Sequence, residues 1–388
     1  MNREIYEQNL RDIENLGIGN LQRRSYIDLL KLRAALMCMG VGPSGLTNEL
    51  AELVNPSGEK RTGNVGIPAM MQTIFGKDFL MSLPTSVVYK GLQKGDPDFT
   101  ASSPFGLEGS VDDVILTLEG RKLIGLELYP QPSWINKTTS SGKPMTSIFL
   151  PESGDNLMAA IRAKGGCEYF KKSEACVFCG LDLLKKGDGK TPEDYAEVAV
   201  AAFSERPKTT SLTLTAGNTY SGLRGIEQYL PFVRAIRNAV FDSTGIEPWI
   251  EVEASPPDFI NNRVLAEETI DALLDAGITS FMSNLEQYSP AARRKALPAK
   301  SRIPTSDYEA VFEYVSSKGL PTASVLMVGL DDSNESIIEG AKFLAERGVY
   351  PVVLPFRPRG KYANRSPTDP NDLFYVSMEA AKLAVKYE

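Results

Sequence analysis

Apolar positions near the start of the chain recur at helical spacing. Leu29, Leu32 and Leu36 lie three or four residues apart, and Gly40 ends the pattern. This spacing predicts an amphipathic helix that ends at the glycine. We expect residues 1 to about 60 to be mostly helical.

Two apolar runs further along predict a β-hairpin. Residues 114–118 and 123–128 have the composition of strands, and Glu119 with Gly120 between them gives a turn signal. We therefore expect residues 1–152 to form an N-terminal accessory domain, in which helices come first and the hairpin follows.

From residue 153 the pattern changes to alternating strands and helices. The predicted strands are 157–163, 210–215, 249–253, 280–284, 323–328 and 350–355. Six such repeats imply parallel strands joined by right-handed crossovers, and so an α/β fold with a partial or full (β/α) barrel over residues 153–365. A helical extension is expected over residues 366–388. In barrels of this type, chemistry takes place at the carboxyl ends of the strands.

Composition and charge exclude several classes of protein. The sequence contains no histidine, which excludes Ser-His and Cys-His catalysis and the zinc and iron sites built on histidine. A net charge of −7 argues against nucleic acid as a partner. No run approaches the roughly 18 apolar residues that cross a bilayer. We expect a cytoplasmic protein that binds neither nucleic acid nor membrane.

The cysteines indicate a metal site. Three of the four, Cys167, Cys176 and Cys179, lie within thirteen residues directly after the first barrel strand. Three thiolates can bind three irons of a [4Fe-4S] cluster and leave the fourth iron open, whereas a closed cluster needs four cysteines. An open iron can bind a substrate or a cofactor.

The same cysteines could instead form a structural zinc site. The fourth zinc ligand would then be Cys38, Glu168 or Glu174, because no histidine is available. We interpret Cys38 as a buried apolar residue of the N-terminal helix.

The three-cysteine loop after the first strand, with Phe178 directly before the last cysteine, resembles the radical S-adenosylmethionine (SAM) superfamily. The resemblance covers roughly residues 155–360. Eight residues separate the first two cysteines, where the usual pattern has three. The resemblance implies that Cys167, Cys176 and Cys179 hold a [4Fe-4S] cluster, whose open iron chelates the amino and carboxylate groups of SAM.

Further SAM contacts are implied at the strand ends. In the biotin synthase branch, an asparagine and an acidic residue after the fourth strand hold the ribose and methionine parts of SAM, and Asn284 and Glu286 lie at this position. The same branch often supplies an arginine to the SAM carboxylate, here Arg302, for which Arg293 or Arg294 could substitute. The other implied contacts are Thr215, Ala216, Gly217 and Asn218 after strand two, Glu253 after strand three, and Val328 on strand five beside adenine.

The resemblance also implies a function. The enzyme would cleave SAM reductively to a 5′-deoxyadenosyl radical that abstracts hydrogen from a small-molecule substrate, in a rearrangement, a cleavage or an oxidation. Arg357 and Arg359 after strand six could hold a carboxylate or phosphate of that substrate. Only one further cysteine remains, too few for a second cysteine-ligated cluster, so we expect an external electron donor, flavodoxin or ferredoxin.

Two alternatives from other classes remain open. One is a lyase or aldolase-type barrel that uses a lysine Schiff base and holds structural zinc at the cysteines. The other is a non-enzymatic metal-binding protein.

Overall fold

The N-terminal part of the chain forms two helices. The computed structural model describes residues 2–18, 25–42, 70–75, 79–84, 99–110, 112–161, 166–179, 189–358, 362 and 364–388. Helix α1 spans Arg3–Leu16 and helix α2 spans Tyr26–Met39. A capping box between Ser25 and Asp28 starts α2, and Gly40 ends it, as predicted.

A five-stranded antiparallel sheet follows the helices. Its strands are β1 (Met70–Phe75), β2 (Phe79–Pro84), β3 (Phe105–Ser110), β4 (Asp113–Leu118) and β5 (Arg121–Leu128), in the spatial order β2-β1-β5-β4-β3. Strands β4 and β5 form the predicted hairpin. Glu119 and Gly120 at its turn have positive φ angles of 49° and 72°, as two-residue hairpin turns require. The sequence did not predict β1, β2 and β3, because their short apolar runs lie among glycine, proline, serine and threonine.

A seven-stranded sheet forms the second half of the molecule. Its strands are β6 (Leu150–Ser153), β7 (Asn156–Ile161), β8 (Ser211–Ala216), β9 (Ile250–Glu253), β10 (Ser280–Met282), β11 (Thr322–Val328) and β12 (Val349–Pro355), each beside the next in the chain. The six strands β7 to β12 are parallel, which confirms the predicted repeats. Strand β6 pairs antiparallel with β7 and was not predicted. The curled sheet has two edges, β6 and β12, and is therefore a partial barrel.

Helices alternate with the parallel strands. They are α3 (Glu168–Lys171), α4 (Pro192–Glu205), α5 (Leu230–Thr244), α6 (Phe259–Ala276), α7 (Pro290–Ala296), α8 (Thr305–Ser317), α9 (Asn334–Ala345) and α10 (Pro370–Tyr387). Two of these helices have clear start signals, because the Asp194 carboxylate accepts a hydrogen bond from the Thr191 main-chain N–H ahead of α4, and the Ser333 side chain accepts one from the Ser336 N–H in the first turn of α9. Gly277 ends α6 with a φ of 109°, as helix C-termini often require.

The C-terminal helix α10 packs against α2 and α9, so the end of the described chain meets its beginning. A helix was predicted here, whereas the boundaries of the three domains, 1–152, 153–365 and 366–388, stay predictions. In the part of the chain that the structure describes, no helix has the length and apolar character that crossing a membrane requires.

The two faces of the seven-stranded sheet differ in chemistry. Leu212 and Val252 are fully buried in the main core beneath the helices. On the opposite face, Thr213 aligns with Glu251, and Glu251 with Ser280. Because aligned residues of neighbouring strands point to the same side of a sheet, this inner face, which we call the lumen face, carries polar side chains.

Candidate functional site

The three clustered cysteines lie on one loop, residues 166–179, which follows β7 in the chain. They form no disulfide bonds and are partly buried, and the Cys179 N–H donates a hydrogen bond to the Cys176 carbonyl oxygen at 3.1 Å. Burial raises the pKa of the Cys176 thiol well above its ordinary value, and the charges of Glu286, Cys179 and Cys167 raise it further. The three thiols are thus close enough to act on one another electrostatically.

Hydrogen bonds attach this cysteine loop to the ends of other barrel segments. One joins it to the loop after β8, one to the last residue of α7 and one to the turn between α7 and α8. The bonds run from Glu168 N to Asn218 O (2.9 Å), from Val177 N to Ala296 O (3.0 Å) and from Ala299 N to Glu174 O (3.2 Å). The main chain of the cysteine loop therefore lies beside these segments, and the shared role of its cysteines with the strand-end motifs stays a prediction.

Gly217 has no side chain, and Cys167 occupies the space where a side chain at this position would lie. A Cβ atom built on Gly217 would lie 2.6 Å from both the main-chain nitrogen and the Cα of Cys167. These are main-chain atoms, so no side-chain rotation can relieve the contact. The glycine of the predicted motif after β8 is therefore required by close packing against the first cysteine.

Replacing Gly217 with alanine should displace Cys167 and reduce the iron bound per chain to less than about half of the wild-type value. Gly222→Ala in the same loop is the matched control, because its Cβ would meet only the side-chain end of Asn262, at 3.0 Å. Iron analysis after anaerobic reconstitution measures both variants. Equal iron in Gly217→Ala and Gly222→Ala would contradict this account of the glycine.

Three cysteine thiols on one loop are a donor set that fits a [4Fe-4S] cluster with one open iron. Among the described residues, no group of three or more cysteine, aspartate, glutamate or histidine side chains converges on one metal ion. A structural zinc ion needs four ligands at about 2.0–2.3 Å. In a cubane cluster each thiolate binds a different iron, so the three sulfur atoms need not meet at one point.

An apolar cluster covers one side of the cysteine loop. Its buried members are Val177, Ala296, Leu297, Leu330 and Phe356, with Cys176, Phe178, Met327 and Tyr362 packed against them. Phe178, which contributed to the resemblance, therefore shields the loop from water.

A polar network lies at the carboxyl ends of β9 and β10. The Asn284 amide donates a short hydrogen bond to Glu253, and its carbonyl oxygen accepts from the Val325 main-chain N–H at 2.9 Å. The ammonium group of Lys300 donates to the Glu286 carboxylate at 2.8 Å and lies 3.4 Å from the Asn284 main-chain oxygen. Three predicted SAM contacts, Glu253, Asn284 and Glu286, thus lie together, although no observation tests their role.

Lys300 is a residue that the sequence reasoning missed. Its side chain is 9% exposed, and that of its partner Glu286 is 11% exposed. Burial alone would lower the pKa of Lys300, but the Glu286 carboxylate outweighs this effect and the pKa is raised, so the lysine stays charged. The only sequence signal is its place in the loop after the fourth strand, two residues before Arg302.

Arg302 lies on the cysteine loop's outer side. It forms a two-pronged ion pair with Glu174, at 2.9 and 2.6 Å, and its side chain is 56% exposed. Hydrogen bonds from Arg302 and Tyr220 lower the pKa of Glu174 to about 2. In this conformation Arg302 anchors the loop, and its predicted contact with the SAM carboxylate stays a prediction.

The remaining predicted contacts lie around the same edge of the sheet. Thr215 aligns with Glu253 on the lumen face, and the Asn218 amide donates to Ser255 at 2.8 Å. Ala216 is the last residue of β8. Val328 is fully buried in the main core together with Leu326, whereas the intervening Met327 packs near the cysteines.

Partly buried carboxylates occupy the lumen face below this network. Thr213 and Ser280 donate hydrogen bonds to Glu251 at 3.2 and 3.0 Å. Burial raises the pKa of Glu253, and likewise of Glu152 on β6, to about 7. The lumen face is therefore acidic and holds carboxyl groups that titrate near neutral pH.

Of the two arginines predicted to bind substrate, one can be described. Arg357 lies near Glu152, whose pKa its charge lowers against the effect of burial, and its guanidinium also donates to the Met37 carbonyl oxygen at 3.3 Å. Arg359 lies outside the described residues.

Raising the pH from about 5 to about 8 should lower the melting temperature of the metal-free protein. Glu152 and Glu253 have pKa values of about 7 when folded, whereas an unfolded glutamate titrates near about 4.3. Between these values the folded chain binds more protons, so stability is fully present below the unfolded pKa and is lost as the pH rises through the folded one.

Thermal unfolding of wild type and of a Glu152→Gln, Glu253→Gln double variant across this pH range measures the effect. The double variant should lose most of the pH dependence that the two carboxyls contribute, roughly a few °C. The same pH slope in both proteins would refute the prediction.

One family model and one curated relative match part of the sequence. The sequence model of a family described as the radical SAM superfamily matches residues 166–344. A lipoyl synthase of Pasteurella multocida (strain Pm70) is 31% identical over 135 residues, which is 34% of this chain. The match spans only 37% of the length of that curated relative.

Two solved structures are similar over about half of the chain. Coproporphyrinogen III oxidase from Escherichia coli, described as a radical SAM enzyme, aligns over 59% of this chain and 52% of its own, with 13% identity and a TM-score of 0.37. A radical SAM methyltransferase from Kitasatospora setae, solved with a tryptophan substrate and a SAM analogue, aligns over 53% and 37%, with 15% identity and a TM-score of 0.38.

Proposed function

We propose that this enzyme is a member of the radical SAM superfamily, whose sequence model matches residues 166–344, and that it cleaves SAM reductively at a [4Fe-4S] cluster held by Cys167, Cys176 and Cys179. When bound, the reduced cluster would supply one electron to the sulfonium of SAM, which would give methionine and a 5′-deoxyadenosyl radical that takes hydrogen from a small molecule. The observation that carries the proposal is the attachment of the three-cysteine loop to the strand ends beside the Glu286–Lys300 pair.

The residues around the loop have distinct proposed roles. The Glu286 carboxylate suits hydrogen bonds from the ribose hydroxyls, which its charge strengthens. Lys300, charged and within reach of Glu286 at 2.8 Å, suits the carboxylate of the methionine part. Gly217 lets the β8 strand end approach the cluster and its ligand closely.

The apolar residues around the cysteine loop also protect the reaction. The apolar cluster around Phe178 and Phe356 excludes water from one side of the cysteine loop, which strengthens the electrostatic interactions inside the site. We propose that the substrate binds on the lumen face, next to the strand ends where the radical forms. The electron comes from an external flavodoxin or ferredoxin.

Anaerobic reconstitution with iron and sulfide tests the proposal. We expect a brown protein with about four irons per chain that forms 5′-deoxyadenosine and methionine from SAM when dithionite is added. A colourless protein with one zinc ion would reject the proposal in favour of a structural zinc site. Borohydride trapping of a carbonyl substrate on a lysine would then identify a Schiff-base lyase, and its absence a non-enzymatic metal-binding protein.

A further inference from the structure

Arg293, on helix α7, is a buried arginine that holds main-chain carbonyl groups. One guanidinium nitrogen donates to the main-chain carbonyl oxygens of Leu285 at 2.8 Å and Gln287 at 3.3 Å. The other donates to the main-chain carbonyl oxygen of Lys300 at 3.1 Å. The residue is 7% exposed. Within the described part of the chain, each of its hydrogen bonds goes to a main-chain oxygen.

These three carbonyl groups surround the pair proposed to bind SAM. Leu285 and Gln287 are the chain neighbours of Glu286 on either side, and the third carbonyl belongs to Lys300 itself. One rigid, planar guanidinium therefore joins the strand-end turn that contains Glu286 to the short 3-10 turn that contains Lys300.

The turn at Glu286 needs such support. Its φ of 63° is in the left-handed region, which residues with a Cβ atom adopt only when the surroundings impose it. Strand β11 fixes the peptide groups of Glu286, because its N–H donates to Val325 and its carbonyl oxygen accepts from Met327, both at 2.8 Å. Arg293 fixes the carbonyls before and after it, so that the carboxylate points towards Lys300.

We infer that Arg293 is a positioning residue for SAM: by holding the carbonyl groups of Leu285, Gln287 and Lys300, it sets the geometry of the Glu286–Lys300 pair that receives the cofactor. This inference rests on the proposed function. Arg293 does not bind SAM itself, because its guanidinium is engaged by the three carbonyls and lies 5.3 Å from the ring of Tyr308.

An exposed lysine on the same helix provides a matched control. Lys295 is 66% exposed, and its partner Asp331 keeps hydrogen bonds from Arg365 and Tyr362, so its replacement removes a charge from α7 without disturbing the turn at Glu286. A comparison of Arg293→Met with Lys295→Met therefore separates the buried contacts from a general effect of charge.

The experiment measures SAM binding by calorimetry and SAM cleavage kinetics, both on anaerobic, cluster-loaded protein. Arg293→Met should raise the Kd and the KM for SAM about tenfold or more and change kcat by less than about threefold. Arg293→Lys should give an intermediate Kd, because an ammonium lacks the planar fork that reaches all three carbonyls. Lys295→Met should match wild type within about twofold in every measurement.

Iron content and melting temperature are recorded for each variant. A loss of iron or of stability with an unchanged Kd for SAM would overturn the inference, because Arg293 would then only support the fold. A wild-type Kd and KM in Arg293→Met would overturn it as well. If Arg293→Met does not fold, Arg293→Lys decides by the same criterion.

The wild-type protein distinguishes this failure from a failure of the proposed function. Wild type that loads a cluster but neither binds nor cleaves SAM would reject the function. Wild type that does both, with Arg293 variants equal to Lys295→Met, would reject only the role of Arg293.

Discussion

Cys176→Ala protein should bind little iron and should form no detectable 5′-deoxyadenosine from SAM in the presence of dithionite. With two thiolates left, a second iron loses its protein ligand in addition to the open one, so the protein no longer holds the cluster. Besides burial, the charges of Glu286, Lys300 and the other two cysteines act on the pKa of the Cys176 thiol. Iron analysis and product detection under anaerobic conditions provide the measurements.

Cys38→Ala is the control for this prediction. Cys38 is fully buried in the main core, far from the clustered cysteines in the chain, and burial raises its pKa well above the ordinary value. Its replacement should cost about 1 kcal/mol of unfolding free energy and leave iron content and SAM cleavage at wild-type levels. SAM cleavage by Cys176→Ala, or loss of iron in Cys38→Ala, would show that the ligand assignment is wrong.

Lys300→Met should lower kcat/KM for SAM by roughly 100-fold, mainly through a higher KM, and should destabilise the protein by about 3–5 kcal/mol. The change leaves the buried Glu286 carboxylate without its cation, and it removes the positive charge that we assign to the SAM carboxylate. Steady-state kinetics and denaturant unfolding measure the two effects separately.

A second substitution separates the two causes. Adding Glu286→Gln to Lys300→Met removes the unpaired charge and should restore much of the stability, but it should not restore SAM affinity. Lys295→Met is the matched control, because this lysine is 66% exposed and its partner Asp331 keeps the hydrogen bonds from Arg365 and Tyr362. If Lys300→Met bound SAM like Lys295→Met, Lys300 would have no role in the site.

The barrel strands were predictable because their patterns are local. Each is a short apolar run, and all six parallel strands lie within a few residues of the predicted positions. Strand β6 was not predicted, since it has only four residues and contains Pro151. The order of the strands in the sheet could be determined only from the structure, because strand pairing joins segments that are distant in the sequence.

The site was predicted in part for a similar reason. The spacing of the cysteines indicated a metal site, and the family resemblance pointed to Asn284 and Glu286, which the structure links to Glu253 and Lys300. Lys300 was missed because its partner lies 14 residues earlier in the chain, and only the fold makes the two meet in a buried place. Arg302 was chosen by family resemblance, and no pattern in the sequence indicated that Glu174 engages it.

The anchoring of the cysteine loop has a consequence for the order of events during synthesis. Its partners Asn218, Ala296, Ala299 and Arg302 all come later in the chain, and Arg302 follows Glu174 by 128 residues. A nascent polypeptide that has emerged from the ribosome only as far as α5 contains all three thiols but lacks most of the groups that shape their loop. Delivery of iron and sulfide therefore has to wait until translation has passed α8.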